Sequence, residues 1–205
     1  MSDPDPKALP GPGAAVFHAL AKRVYYRSHL SDGEVSPAAF QRILECARRT
    51  PSVANRQPWM LSGCAGETAR EILTTLARTP DLFLDFFASA SGDEGVTSDL
   101  HNAGALVFMM GERKVPMWRD CCLLASYQLM LAANSEDLTA RTLLPVSPNE
   151  MSKLIRVPEG YMVFSLILFG HMGDKSTDTR SLKSISEVSA PLHMVPEILP
   201  TQSRA

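Results

Sequence analysis

The residues best suited to chemistry lie in one short segment, residues 51–59, with the sequence Pro-Ser-Val-Ala-Asn-Arg-Gln-Pro-Trp. The amide side chains of Asn55 and Gln57 carry hydrogen-bond donors and acceptors together. Such groups can pair with a heterocycle that alternates carbonyl oxygens and ring nitrogens, and Ser52 and Trp59 add a hydroxyl and a flat apolar surface. The segment therefore predicts a loop that binds a flat, polar ligand.

A helix must position this loop from its N-terminal side. Ser36 can cap the first turn and Pro37 suits the first helical position. An apolar stripe at helical spacing follows, formed by Phe40, Ile43, Leu44 and Ala47. Pro51 disfavours helical geometry at Thr50, so the amides of residues 55 and 57 are expected on non-helical backbone.

Composition limits the class of protein. The 205 residues suit one domain with a substantial core, or one protomer of a dimer. A formal net charge of −2 gives no electrostatic reason to expect a nucleic-acid partner. The chain has neither an apolar run of membrane-spanning length nor a basic N-terminus followed by a hydrophobic segment. These features predict a cytoplasmic protein without membrane or nucleic-acid partners.

The four cysteines show no metal-binding spacing. Cys46 falls in an apolar helix and Cys64 in an apolar strand, while Cys121 and Cys122 are adjacent. We expect reduced core thiols, with no metal site and no disulfides.

The sequence predicts one α+β domain over residues 14–205. A flexible lead over residues 1–13 precedes it, because four prolines and two glycines there oppose regular structure. The domain includes a C-terminal arm over residues 171–205. The pattern predicts strands over residues 60–65 and 105–110 and helices over residues 14–25, 67–78 and 117–134. The last helix has few charges and is expected to be buried nearly all round, at the centre of the domain or at a dimer interface. Residues 89–99 are polar and are expected to form a mobile connection.

This part of the chain resembles the N-terminal signature of the nitroreductase-like flavoprotein family. The resemblance is carried by residues 51–59, by the helix before them and by Arg23-Val-Tyr-Tyr-Arg27, which lies about thirty residues upstream of the Asn-x-Gln-Pro-Trp. The resemblance implies a central, mostly antiparallel sheet flanked by helices, with extended arms in an intertwined homodimer. It also implies FMN as the cofactor, with Arg23, Arg27 and Arg180 on its phosphate. Asn55 and Gln57 would hold ribityl and ring atoms. The full set of predicted cofactor contacts is Arg23, Val24, Tyr25, Arg27, Pro51, Ser52, Asn55, Gln57 and Arg180.

Other interpretations of these positions stay open. Arg23 and Arg27 have the (i, i+4) spacing of an ordinary solvated helix face, and only together with residues 51–59 do they favour a phosphate site. Arg180 is equally consistent with an exposed charge in a linker. Tyr25 stands where the family usually has Ser or Thr, so its hydroxyl contact to phosphate is an open question.

The chain departs from the family pattern after its longest predicted helix. The family usually has a Gly-Leu-Gly-like segment there, then a Gly-containing stretch near the reactive edge of the flavin. This chain has residues 135–145, in which Leu143 and Leu144 lack the freedom of glycine and Pro145 has no N–H to offer flavin N5. No catalytic residue is identified.

The resemblance implies an FMN-dependent oxidoreductase that transfers hydride or electrons through flavin N5, with NAD(P)H or a small flat organic molecule as its partner. The altered segment at residues 135–145 motivates a second hypothesis, a catalytically weak flavin-binding or storage protein or a partner subunit of an active enzyme. A third is an α+β interaction protein without a cofactor.

Overall fold

A computed structural model describes residues 30–85 and 93–173 of the chain. The predicted cofactor contacts Arg23, Val24, Tyr25, Arg27 and Arg180 lie outside the described residues. So do the predicted lead over residues 1–13, the predicted helix over residues 14–25 and most of the predicted C-terminal arm.

The described residues form six β-strands and five α-helices. The strands are β1 (Leu30–Ser31), β2 (Trp59–Ala65), β3 (Phe83–Asp85), β4 (Ala105–Glu112), β5 (Thr139–Pro145) and β6 (Tyr161–Met172). The helices are α1 (Pro37–Arg48), α2 (Glu67–Leu76), α3 (Asp93–Asn102), α4 (Trp118–Ser135) and α5 (Pro148–Leu154). Both predicted strands and the predicted helices over residues 67–78 and 117–134 are confirmed, with ends that differ by one or two residues.

The strands form one sheet in the order β2-β4-β6-β5-β3, and β1 pairs with the end of β6. All pairings in the described part of the sheet are antiparallel, as the predicted fold class requires. Strand β4 is a continuous apolar run because both faces of the sheet at this strand are covered by helices. Leu106, Phe108 and Met110 pack with α2 and α3, whereas the alternate residues pack with α1 and α4.

Helix α1 begins and ends where the sequence predicts. The Ser36 hydroxyl accepts a hydrogen bond from the Ala39 backbone N–H at 3.1 Å, and Pro37 is the first helical residue. Phe40, Ile43 and Ala47 are buried. The helix ends at Arg48, which places residues 51–58 between α1 and the sheet edge formed by β2.

The expected mobile connection over residues 89–99 is wrong for its described part. Residues 93–102 form α3, because Val96 and Leu100 lie one turn apart and pack into the core. Asp99 is completely buried between them. The polar composition hid this helix, since its stability comes from packing rather than from local propensity.

Burial also corrects two smaller expectations. Cys46 is an exposed thiol on α1 rather than a core residue, because it lies off the apolar stripe of that helix. Helix α4 is not buried nearly all round within one chain, since Leu123 and Leu124 are 43% and 49% exposed. Every helix within the described ranges is too short or too polar to cross a lipid bilayer.

Candidate functional site

Residues 51–57, here called the polar loop, have an unusual backbone. Ala54, Asn55 and Gln57 all have positive φ, at 49°, 53° and 44°. A side chain in this left-handed region costs roughly 1–2 kcal/mol relative to right-handed backbone, and residues other than glycine and asparagine rarely adopt it. Strained backbone of this kind clusters at ligand-binding sites, where the surrounding structure enforces it.

Side chains of the polar loop hold it in this shape. The Ser52 hydroxyl accepts a hydrogen bond from the Gln57 backbone N–H at 2.9 Å, and the Gln57 side-chain amide donates to the Asn55 side-chain oxygen at 3.0 Å. Two backbone hydrogen bonds, from the Asn55 N–H to the Ser52 carbonyl and from the Arg56 N–H to the Val53 carbonyl, close two overlapping tight turns. The structure thus brings three predicted cofactor residues, Ser52, Asn55 and Gln57, into one cluster beside Pro51.

The side-chain amides of this cluster can still form hydrogen bonds to a ligand. Asn55 and Gln57 are exposed, and each amide carries two donors and a carbonyl acceptor. Their mutual hydrogen bond uses one donor of Gln57 and one lone pair of Asn55. The bond also restrains both side chains, so a ligand would find them already oriented.

A cleft of about 400 Å³ opens next to the loop. Gln57 and Trp59 line it from the loop side, and α1 and β2 supply its other walls through Gln41, Leu44, Glu45, Arg48 and Leu61. This volume is within the range of small-molecule sites. Trp59 is half-buried, so part of its surface is available to a flat ligand, as the sequence predicts.

The charges on the α1 wall of this cleft are fixed by ion pairing. Glu45 contacts Arg48 at 2.5 Å and Arg49 at 3.2 Å. The hydrogen bond from Arg48 lowers the pKa of Glu45 to about 2, and the same bond raises the pKa of Arg48. Glu45 and Arg48 therefore stay ionised as a pair, and their opposite charges balance on this wall.

A larger cleft, of about 620 Å³, lies on the other face of β2. Its lining is mostly apolar, with Met60, Leu106 and Phe108 among the residues, and Arg156 is its charged member. It includes none of the predicted cofactor residues and no side-chain amide. We therefore place the candidate site at the polar loop and the smaller cleft beside it, which the loop lines through Gln57.

The segment that departs from the family pattern is a regular part of the sheet. Leu143 is fully buried in the cluster beneath α2 and α3 and pairs with Leu166 of β6. Pro145 is the last residue of β5, opposite Phe83 of β3, a strand-end position where a missing N–H is tolerated. Packing therefore explains Leu143, a role that comparison with the family pattern did not predict.

A second polar cluster, here called the buried clamp, was not predicted from the sequence. It consists of Asp99, Asn102 and Arg141 around the backbone of Leu30. Asp99 forms an ion pair with Arg141 at 3.1 Å and accepts the Leu30 backbone N–H at 2.6 Å. The Asn102 side-chain amide donates to the Leu30 carbonyl oxygen at 2.7 Å. The only sequence signal was one Asp and one Asn at (i, i+3) spacing near the end of a polar stretch.

Residues 30–85 and 93–173 contain no cluster of three or more His, Cys, Asp or Glu side chains that could hold a metal ion. Of the cysteines, Cys121 and Cys122 are buried, and burial raises the pKa of the Cys122 thiol to about 12. The candidate chemistry therefore depends on the polar loop.

No protein-family model matches the chain. A relative from Archaeoglobus fulgidus, which carries the provisional name NADH dehydrogenase/NAD(P)H nitroreductase, is 26% identical over 167 residues. The alignment covers 75% of this chain and 86% of the relative.

Solved structures resemble the chain over most of its length. An FMN-dependent nitroreductase from Clostridium difficile aligns with a TM-score of 0.65 and 16% identity, covering 84% of this chain and 97% of that one. Oxidized iodotyrosine deiodinase bound to FMN and 3-iodo-L-tyrosine aligns with a TM-score of 0.65 and 21% identity, covering 83% and 96%. The chain has the nitroreductase fold, and the resemblance predicted from residues 51–59 is confirmed.

Proposed function

We propose that this protein is an FMN-dependent oxidoreductase that uses NAD(P)H or a small organic molecule as its redox partner. The observation that carries the proposal is the polar loop, in which Ser52, Asn55 and Gln57 are joined by hydrogen bonds on strained, exposed backbone. The fold adds support, because structures that share it include a nitroreductase named as FMN-dependent and a deiodinase bound to FMN.

The residues of the loop fit the chemistry of FMN. A flavin presents carbonyl oxygens and ring nitrogens at one end and hydroxyls along its ribityl chain, and exposed amides can donate to or accept from both. Bound FMN would supply hydride transfer at N5, while the protein supplies binding, orientation and electrostatics. Asn55 and Gln57 would orient the cofactor, and Pro51 and Ser52 would shape the loop around it. Arg23, Arg27 and Arg180 remain the predicted phosphate contacts, and Val24 and Tyr25 remain predicted cofactor contacts.

The proposed enzyme works as a homodimer. Helix α4 exposes Leu123 and Leu124, and Met117 just before it is 60% exposed. Apolar side chains grouped on one surface of a single chain favour a protein partner, and a twofold interface lets one surface serve both protomers. Light scattering at low micromolar concentration should give the mass of a dimer. A monomer mass would reject this part of the proposal.

Flavin uptake tests the cofactor assignment directly. The purified protein should be yellow or should become so when FMN is added and excess ligand is removed. Gln57→Ala should weaken FMN binding at least about tenfold, a loss of about 1.4 kcal/mol, because it removes a ring or ribityl contact and also frees Asn55. The matched control is Asn149→Ala, which removes an exposed amide from α5. A colourless protein that ignores FMN would overturn the cofactor assignment.

Reduction of the bound flavin separates an enzyme from a storage protein. We expect NADH or NADPH to bleach the flavin under anaerobic conditions and a quinone or nitroaromatic compound to restore its colour. The names of the relative and the structural neighbours favour this outcome over the storage or partner-subunit alternative. Tight FMN binding without reduction by either nicotinamide would instead favour that alternative.

A further inference from the structure

The larger cleft, of about 620 Å³, has a floor built from two neighbouring strands. Side chains alternate between the two faces of a strand, so every second residue of β2 and of β4 lines this cleft. The lining residues face one another in three cross-strand pairs: Met60 with Met110, Ser62 with Phe108, and Cys64 with Leu106. Ser62 carries the one hydroxyl in this set, so the floor is mainly apolar.

Two further elements form the walls of the larger cleft. Thr68 and Ile72, one turn apart on α2, line one side. Ile155, Arg156 and Pro158 line the other side, from the segment that follows α5. Ile72 is 37% exposed, so part of this apolar side chain is available to a ligand.

Arg156 is the one charged residue among the described residues that line the larger cleft. Its side chain is exposed and forms no ion pair within residues 30–85 and 93–173. Burial raises the pKa of the Cys64 thiol, so this lining residue stays neutral and supplies no negative charge. A guanidinium beside an apolar floor favours an anion, and it can form two parallel hydrogen bonds with a carboxylate.

The backbone of Arg156 is one that glycine usually adopts. Helix α5 ends in a Schellman motif, in which the Val157 N–H donates to the Ser152 carbonyl at 2.9 Å and the Arg156 N–H donates to the Lys153 carbonyl at 3.4 Å. Arg156 is held at a φ of 53°, in the left-handed region that is unfavourable for a residue with a Cβ. Ending the helix would by itself favour glycine here, and strained positions of this kind cluster at ligand-binding sites.

We propose that the larger cleft binds a small organic carboxylate with an apolar body, such as a medium-chain fatty acid. The hydrocarbon part would lie on the floor formed by β2 and β4, beside Ile72, and Arg156 would bind the carboxylate. Small-molecule sites combine these features, a mainly apolar lining and a few polar groups that orient the ligand. The cleft lies on the face of β2 opposite the candidate flavin site, so this proposal does not depend on the proposed function.

The test compares octanoate with 1-octanol, which has the same chain length and no charge. NMR titrations of the full-length protein give both dissociation constants, and the methyl signals of Met60 and Ile72 report whether this cleft is occupied. We expect both signals to shift until octanoate saturates the site. We expect 1-octanol to bind about tenfold more weakly, because it cannot pair with the guanidinium.

Two variants separate the charge from the apolar surface. Arg156→Gly removes the charge and suits the left-handed backbone, so its melting temperature should be unchanged or higher. It should weaken octanoate binding about tenfold and 1-octanol binding less than about twofold. Ile72→Ser removes an apolar contact that both ligands share, so it should weaken the two by a similar factor.

Arg113→Gln is the matched control, because Arg113 is an exposed arginine that lines neither of the two clefts. It should change neither dissociation constant. The proposal would be overturned if the parent protein showed no saturable octanoate binding, or bound octanoate and 1-octanol equally well. Equal losses of octanoate affinity in Arg156→Gly and Arg113→Gln would also overturn it, since binding would then depend on overall charge rather than on this cleft.

Discussion

The polar loop and the buried clamp are both clusters of amide and charged side chains, yet they differ in almost every physical respect. The polar loop is exposed, lies on left-handed backbone and is held by hydrogen bonds between residues at most five positions apart. The buried clamp is centred on Asp99, which is fully buried, and its hydrogen bonds join residues as far as 72 positions apart. The difference teaches that burial, rather than residue type, decides what a polar cluster does.

Energetics make the contrast sharper. An exposed hydrogen bond competes with water, so the bonds of the polar loop add little to stability and leave its groups available to a ligand. A buried charge has lost its water and depends on its partner, so the groups of the buried clamp are committed to one another. We therefore expect changes in the loop to affect binding with little effect on folding, whereas changes in the clamp should affect folding.

The largest expected effect is a loss of folding stability when the buried clamp is broken. Arg141→Ala leaves the Asp99 carboxylate buried without its charged partner, which should lower the free energy of unfolding by about 3–5 kcal/mol. Urea denaturation measures the change. The double variant Asp99→Leu with Arg141→Leu should recover most of the lost free energy of unfolding.

The matched control for this prediction is Arg42→Ala, which breaks the exposed pair between Arg42 and Glu136 at 2.6 Å. It should have a far smaller effect, because solvent screens that pair. If Arg141→Ala and Arg42→Ala were equally mild, the distinction between buried and exposed polar clusters would be lost for this protein.

A smaller effect is expected from the backbone of the polar loop. Ala54→Gly relieves the cost of a φ of 49° but gives the unfolded chain more freedom, so the free energy of unfolding should change by less than about 1 kcal/mol. The affinity for FMN should fall about two- to threefold, because a more flexible loop must be ordered on binding. Isothermal titration calorimetry would show the loss as a less favourable binding entropy. An increase in affinity would mean that the loop is not preorganised.

The smallest effect concerns the ion pairs on the cleft wall. The pKa of Glu45 is lowered from its ordinary value of 4.5 to about 2 by its hydrogen bond with Arg48. Because the folded value lies below the unfolded one, Glu45 stabilises the fold above pH 4.5, and this contribution is lost as the pH falls toward 2. Glu45→Gln should therefore melt slightly lower than the parent at pH 6, and the two melting temperatures should converge near pH 2. Added salt should reduce the difference at pH 6, because the pair is exposed. A difference that stays constant from pH 6 to pH 2 would contradict the role of this carboxylate.

Sequence patterns predicted the elements whose causes are local. Ser36 and Pro37 mark the beginning of α1, Pro51 prevents its continuation, and the apolar run in β4 matches its place inside the sheet, between β2 and β6. The polar loop was also predictable, because a dense set of amide and proline residues is visible within nine positions. Its left-handed backbone was not, since nothing in Ala54 or Gln57 favours positive φ.

Patterns failed where the cause lies far along the chain. Helix α3 looks like a polar connection until its Val96 and Leu100 meet the core. Whether Cys46 and Leu123 are exposed depends on which face of each helix packs against the sheet. The apolar pattern of a single helix cannot specify that face.

The sequence by itself determined the boundaries of α1, the strand and helix periods and the chemical character of the polar loop, because caps, prolines and periodic burial act over a few residues. Only the tertiary structure decided that Asp99 would be buried, that Arg141 would pair with it and that Asp99 and Asn102 would bind the backbone of Leu30. Those groups are distant along the chain, and their energies exist only once the fold has excluded water from between them.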